Sequence, residues 1–95
     1  MRVDNPSQYK LIRFQKSRTK NKMYDAIIEN KITGKQKRVP FGDNRYENYR
    51  DITKLNLYPN LIHGDKQRRK RFRSRHYKNA QYKFSPAYFS YNYLW

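Results

Sequence analysis

Apolar residues follow a period near two through the first half of this chain and crowd together without a single stripe at its end. From Tyr9 the residues Tyr9, Leu11, Ile12 and Phe14 alternate imperfectly with Lys10, Arg13 and Gln15, the pattern of a half-buried strand. Residues 17–22 (SRTKNK) read as a turn. Residues 23–29 (MYDAIIE) form a second strand pattern, with Tyr24, Ala26 and Ile28 on one face and Met23, Asp25 and Ile27 on the other. Asn30 and Gly34 suit a hairpin loop, and residues 37–41 return as a third strand. Pro40 cannot donate to a ladder, so it closes that strand or lies on an edge. The pattern predicts a three-stranded antiparallel meander over residues 9–41, preceded by a polar lead-in at 1–8 in which Pro6 and Ser7 discourage regular structure.

The second half is predicted helical at two places. Residues 43–53 carry Tyr46 and Tyr49 at i, i+3 behind Asp43 or Asn44, which suits a short helix or turn laying two rings on the sheet. Residues 54–64 set Leu55, Leu57, Tyr58, Leu61 and Ile62 among Asn, Pro and Gly, an apolar loop that either tucks onto the core or docks a partner. Residues 65–76 (DKQRRKRFRSRH) read as a very basic helix. Asp65 is its N-cap, because a carboxylate there accepts the free N–H groups of the first turn, and His76 caps its C-terminus. Lys66, Arg69, Lys70 and Arg73 share one face, and Arg68, Phe72, Arg75 and His76 another. Residues 85–95 (SPAYFSYNYLW) open with Ser85 as N-cap and Pro86 at the first helical position. The helix they start would be apolar all round, with Ala87, Tyr91, Leu94 and Trp95 along one side and Phe89 and Tyr93 along another. It must plug the domain or insert into a neighbouring chain. The expected fold class is therefore α+β, with residues 1–95 as one small domain: meander 9–41, connecting segment 42–64, basic and aromatic helices 65–95.

Composition changes this picture mainly through charge. The chain has 95 residues, 36% of them hydrophobic but 17% aromatic with ten Tyr, so much of its buriable area is in rings whose hydroxyls need partners. Twenty-three Lys and Arg against seven acids give a formal +16, and residues 66–95 hold nine cations and no acid. Such a charge favours nucleic acid, anionic lipid or acidic protein surfaces as partners. Phe72 alone cannot hold the basic helix against repulsion among its neighbours, so acidic groups are expected from outside. Within the chain, Asp43, Glu47, Asp51 or Tyr rings could occupy part of Arg68, Arg71 and Arg75.

Catalytic chemistry finds little support. There is no Cys, so disulfides and thiolate metal sites are excluded, and the two His do not make a metal site. His63 is expected to make a structural hydrogen bond where the loop meets the basic helix. Asp25 and Glu29 lie on one face of a strand roughly 13 Å apart, too far to share one ion. No Gly-rich phosphate cradle or nucleophile elbow is present. We therefore expect no enzyme, no cofactor and no catalytic or metal-ligating residue. No apolar run reaches the length of a membrane span and no signal-peptide core is seen, from which an intracellular, soluble or assembly-bound protein is expected.

Four segments in order, MYDAI, VPFGDNRYENY, HGDKQRRKRFRSRH and SPAYFSYNYLW, resemble a family of small basic proteins of nucleocytoplasmic large DNA viruses, the giant viruses of algae and protists. The resemblance covers roughly half of the chain and rests on Tyr24, Asp25, Phe41, Gly42, Tyr46, Tyr49, His63, Asp65, Arg68, Arg69, Arg71, Arg75, His76, Leu94 and Trp95. Residues 50–62 depart from it as an insertion, and the chain stops at Trp95 where many relatives continue with another basic segment. The family has no established activity, so the resemblance implies a viral setting rather than a mechanism. Together with the aromatic terminal helix and the apolar loop at 54–62, that setting leads us to expect a structural virion protein, a minor capsid or capsid-associated component bridging larger subunits, located in the virion and in host cytoplasm or nucleus during assembly. In that role Lys66, Arg69, Lys70 and Arg73 would pair with acidic surfaces of other capsid proteins, and Tyr88, Tyr91 and Trp95 would anchor the interface. The alternative is a DNA-packaging or DNA-condensing protein that binds nucleic acid without sequence preference, with Tyr77, Tyr82 and Phe84 as stacking faces.

Overall fold

The computed structural model describes residues 2–95. It is an α+β fold. A sheet of order β1-β2-β3, formed by Tyr9–Lys16, Tyr24–Asn30 and Gln36–Phe41, pairs antiparallel throughout and is followed by helix α1 at Lys66–Ala80 and helix α2 at Pro86–Phe89. A π-helical turn, Ser90–Leu94, carries α2 on to Trp95.

The imperfect alternation in β1 has a physical cause. The register shifts between Leu11 and Arg13, so that Leu11 faces Ile28 while Phe14 faces Ala26. One extra residue in the strand is a β-bulge, and it returns Phe14 to the face used by Tyr9 and Leu11. Ile12 is the residue left outside. In β2 both faces are covered. Tyr24, Ala26 and Ile28 enter the core with Val39 and Phe41, while Asp25 and Ile27 are buried on the opposite side. Asp25, with no exposed surface, accepts hydrogen bonds from Ser17 Oγ at 2.7 Å, Arg18 N at 3.2 Å and Arg38 Nη1 at 3.2 Å. Its carboxylate closes the β1–β2 turn, and Glu29 pairs separately with Lys10 at 3.6 Å. The two acids serve the sheet individually.

Two expectations need correction and one holds. The lead-in is not idle: Val3 joins the core, Arg2 lies 3.7 Å above the Tyr82 ring, and Pro6–Gln8 forms a 3-10 turn. Residues 43–53 take the turn and not the helix, with Tyr46 N donating to Asp43 O at 3.3 Å, and only Tyr49 of the two rings packs against the core. Asn48 instead makes a bridge to Ile62, with Asn48 N donating to Leu61 O at 2.7 Å and His63 N to Asn48 O at 3.0 Å, and Tyr46 stays 65% exposed. The loop at 54–64 does tuck onto the core through Leu55 and Tyr58, although Leu57 remains exposed.

That loop is held by one buried phenol. Tyr24 donates to Asp51 Oδ2 and accepts from Leu57 N at 3.0 Å, while Asp51 Oδ1 accepts from Thr53 N at 2.9 Å. Burial, and then the bond to Asp51, raise the Tyr24 pKa to about 12. Because its folded pKa lies above the ordinary value of 10.0, this group stabilises the fold fully below pH 10 and less and less as pH rises towards 12. Alkaline unfolding followed by circular dichroism should show a loss on the order of 2 kcal/mol across that window. Tyr24→Phe should start less stable and have a flatter profile; an unchanged slope would contradict the assignment.

Candidate nucleic-acid interface

Helix α1 begins as its first residues dictate. Asp65 Oδ1 accepts from Gln67 N at 2.9 Å and Arg68 N at 3.2 Å, and the bond to Arg68 leads in lowering its pKa. His63 Nδ1 accepts from Asp65 N at 2.8 Å, the structural bond expected at this junction. Burial and nearby Arg68 lower the His63 pKa, and its Nε2 has no hydrogen-bond partner beneath the Tyr49 and Trp95 rings.

The helix does not end at His76. It runs to Ala80, which is buried, and Gln81 N closes it by donating to Lys78 O and Asn79 O. His76 instead turns inward, its ring centroid 4.3 Å from that of Phe72, and burial together with Arg75 lowers its pKa. Buried Phe84 follows at φ 65°, a left-handed conformation that turns the chain back so that Ser85 can cap α2 through Tyr88 N. Phe84 is thus core, not a stacking face, and Arg2 lies over the Tyr82 ring. Of the expected platform Tyr77 stays 47% exposed and Tyr82 41%.

The aromatic tail is enclosed by its own chain. Phe89 and Leu94 have no exposed surface, and Trp95 stacks on Phe72 with centroids 4.1 Å apart and planes 4° from parallel. Widening the last turn to i→i+5, seen in Trp95 N donating to Ser90 O at 3.1 Å, sets Leu94 beneath Gly42 and Trp95 against α1.

Helix C-termini leave carbonyls without partners. Here five consecutive ones are satisfied from outside the tail. Arg73 Nη1 donates to Tyr91 O at 3.1 Å, Arg50 Nη2 to Asn92 O at 3.1 Å, Ile52 N to Tyr93 O at 3.0 Å, Arg50 N to Leu94 O at 3.0 Å and Arg69 Nε to Trp95 O at 2.6 Å. Three guanidinium groups at the negative end of a helix are also favoured by its dipole.

This clasp divides the residues expected to bind a partner. Arg69 and Arg73 turn inward, and also lie 4.9 and 3.9 Å from the Tyr49 and Tyr91 ring centroids. Lys66 and Lys70 stay exposed on the same face. Trp95 is 8% exposed and stacked within the chain, so its surface is used at home rather than as an outward anchor. Tyr88 and Tyr91 are half-buried, Tyr88 edge-on to Phe84 and Phe89 and Tyr91 under Arg73. The physical reason is that the guanidinium groups of Arg69 and Arg73 satisfy carbonyls that would otherwise be orphaned.

What remains outside is strongly positive. Only four of the 23 Lys and Arg side chains form ion pairs among the described residues: Lys10, Arg38, Arg45 and Arg68, the last with Glu47 at 3.0 Å. Lys66, Lys70, Arg71, Arg75, Lys78 and Lys83 are exposed without one. Between α1, the 42–48 turn and the start of the tail lies a cleft of about 630 Å³, a feature the linear pattern did not reveal. Its walls include Lys22, Arg68, Arg71, Arg75, Tyr46 and the Phe72–His76 pair. No group of three or more metal-ligating side chains occurs among the described residues, and no helix there is long and apolar enough to cross a membrane.

Together the fold and this surface define a small cationic α+β protein in which α1 carries seven of the cations that form no ion pair. Comparison with protein-family models, with curated proteins and with solved structures finds no match.

Proposed function

We propose that the protein is a basic structural component of a large DNA virus particle and that its work there is to bind nucleic acid without sequence preference. The viral setting rests on the order of motifs described above. The binding rests on one observation: six exposed cations on and just after α1, Lys66, Lys70, Arg71, Arg75, Lys78 and Lys83, have no acidic partner within the chain. A phosphate backbone supplies the missing charge, and release of its counterions drives association. Recognition of this kind positions the protein without reading bases.

Fluorescence anisotropy with labelled random-sequence duplex DNA tests it. The logarithm of the affinity should fall linearly with the logarithm of salt concentration, with a slope near −0.9 for each phosphate engaged. Replacing Lys66, Lys70, Lys78 and Lys83 by Gln should make the slope shallower by roughly one for each phosphate no longer engaged. No binding at low salt would rule the reading out.

A second reading, a minor capsid or capsid-associated protein bridging larger subunits, is favoured by Ile52 and Leu57, each 47% exposed on the connecting segment. Under it Leu57→Asp would block incorporation into particles while leaving DNA binding intact. The two roles are compatible on the inner face of a shell.

A further inference from the structure

We propose that the cleft between α1 and the 42–48 turn holds one unpaired nucleotide of a single-stranded nucleic acid, its base against Tyr46 and its phosphate between Arg71 and Arg75. The proposal rests on the nucleic-acid reading above and deepens it by naming the form of nucleic acid the site takes.

Charge argues for the phosphate. Arg71 and Arg75 are one helical turn apart on α1, both exposed, and neither they nor Lys22 across the cleft forms an ion pair. The two carboxylates in the walls are already engaged: Asp43 by Arg45 at 2.8 Å and Glu47 by Arg68 at 3.0 Å. An entering phosphate therefore meets three free cations and no free acid.

Shape argues for the base. A volume of about 630 Å³ falls in the range of small-ligand sites and admits a nucleotide. Tyr46 presents an open ring on one side, and the Phe72 ring, backed by Trp95 and flanked by His76, lines the other. Gly42, Ala87 and Ser90 leave room between them, with Asn48 and Pro86 also in the lining. Aromatic faces interleaved with backbone-tracking cations are how single strands are held without sequence preference. A paired base is stacked and cannot enter unless it is extruded from its helix.

The groove beside Tyr77, Tyr88 and Tyr91 is a weaker candidate, because Lys83 is its only cation and Arg73 already covers Tyr91.

The test compares labelled oligo(dT) and oligo(U) with a matched duplex, using the intact protein and its Trp95 emission. Trp95 is the single Trp and lines the cleft, so occupancy should quench it. Single strands should bind at least about fivefold more tightly than duplex, the smallest gain that stacking one base carries. Tyr46→Leu, at an exposed position, should lower single-strand affinity by about the same factor and leave duplex binding unchanged. Arg71→Gln with Arg75→Gln should flatten the single-strand salt slope by about 0.7, for the one phosphate held between them. Lys66→Gln with Lys70→Gln, outside the cleft, should weaken both forms alike. Whichever of the two oligomers binds more tightly identifies the source as DNA or RNA. Equal binding of single strand and duplex with a silent Tyr46→Leu would overturn the cleft assignment and leave the broader reading standing. Binding of neither form would overturn both.

Discussion

Phe89→Ala is expected to remove about 4 kcal/mol of stability, the middle of the range for deleting a fully buried aromatic ring. Phe89 has no exposed surface, and its centroid lies 5.3 Å from Phe41, 5.9 Å from Phe14 and 5.9 Å from Phe84, so one ring joins β1, β3 and the turn after α1. No neighbour is free to fill the hole, because each is fixed by its own strand or turn. A domain of this size has only about 5–14 kcal/mol in total, so the variant should be close to unfolded in mild urea. Loss should begin at the tail: Phe89 is the deepest point at which α2 is held, and Trp95 emission should shift to the red before far-ultraviolet ellipticity is lost. A variant with an unchanged urea midpoint would mean that the tail is not the plug of this core.

Gly42→Ala should cost about 3 kcal/mol from a single added methyl group. Gly42 has φ +73°, and a Cβ there would lie 2.9 Å from Leu94 Cδ1 and 3.1 Å from both Met23 Cβ and Sδ. Two penalties add: roughly 1–2 kcal/mol for a left-handed Cβ and roughly 1–3 kcal/mol for overpacking. Gly34 and Gly64 are natural controls, since φ is also positive at both but nothing lies within 4 Å of a Cβ at either. Their Ala variants should show the conformational cost alone, about 1 kcal/mol. A fall in urea midpoint without a change in m would assign the difference to the native packing under Leu94. Equal losses at all three glycines would show that the close approach of Leu94 is not limiting.

Both predictions concern the joint between the aromatic tail and the sheet, which is also where reading the chain alone reached its limit. Ser85, Pro86 and the rings after them announced a helix that needed cover on every side, yet left open whether that cover came from this chain. The answer depends on Arg50, Arg69 and Arg73, separated from the tail by 18 to 42 positions, reaching its last carbonyls. Nothing in periodicity marks an arginine as a cap for a helix elsewhere in the sequence. Arg69 and Arg73 therefore read as cations for a partner's acidic surface, and Trp95 as an outward anchor, when Arg69 donates to the Trp95 carbonyl and Arg73 to that of Tyr91.

Local rules were enough for the meander and its two hairpins, the start of α1 at Asp65, the start of α2 at Ser85, and the excess of cations after residue 65. Strand alternation, turn residues and N-caps act over a few neighbouring positions and survive without knowledge of the rest. The end of α1, the bulge at Ile12, the π turn, the enclosure of Trp95 and the existence of the cleft were decided by the tertiary structure. Each depends on which surfaces meet, and a close-packed interior selects among locally acceptable conformations by the contacts they make at long range. The outward cations are the part on which both levels agree: few acids existed to pair with them, and the four that form ion pairs engage Lys10, Arg38, Arg45 and Arg68.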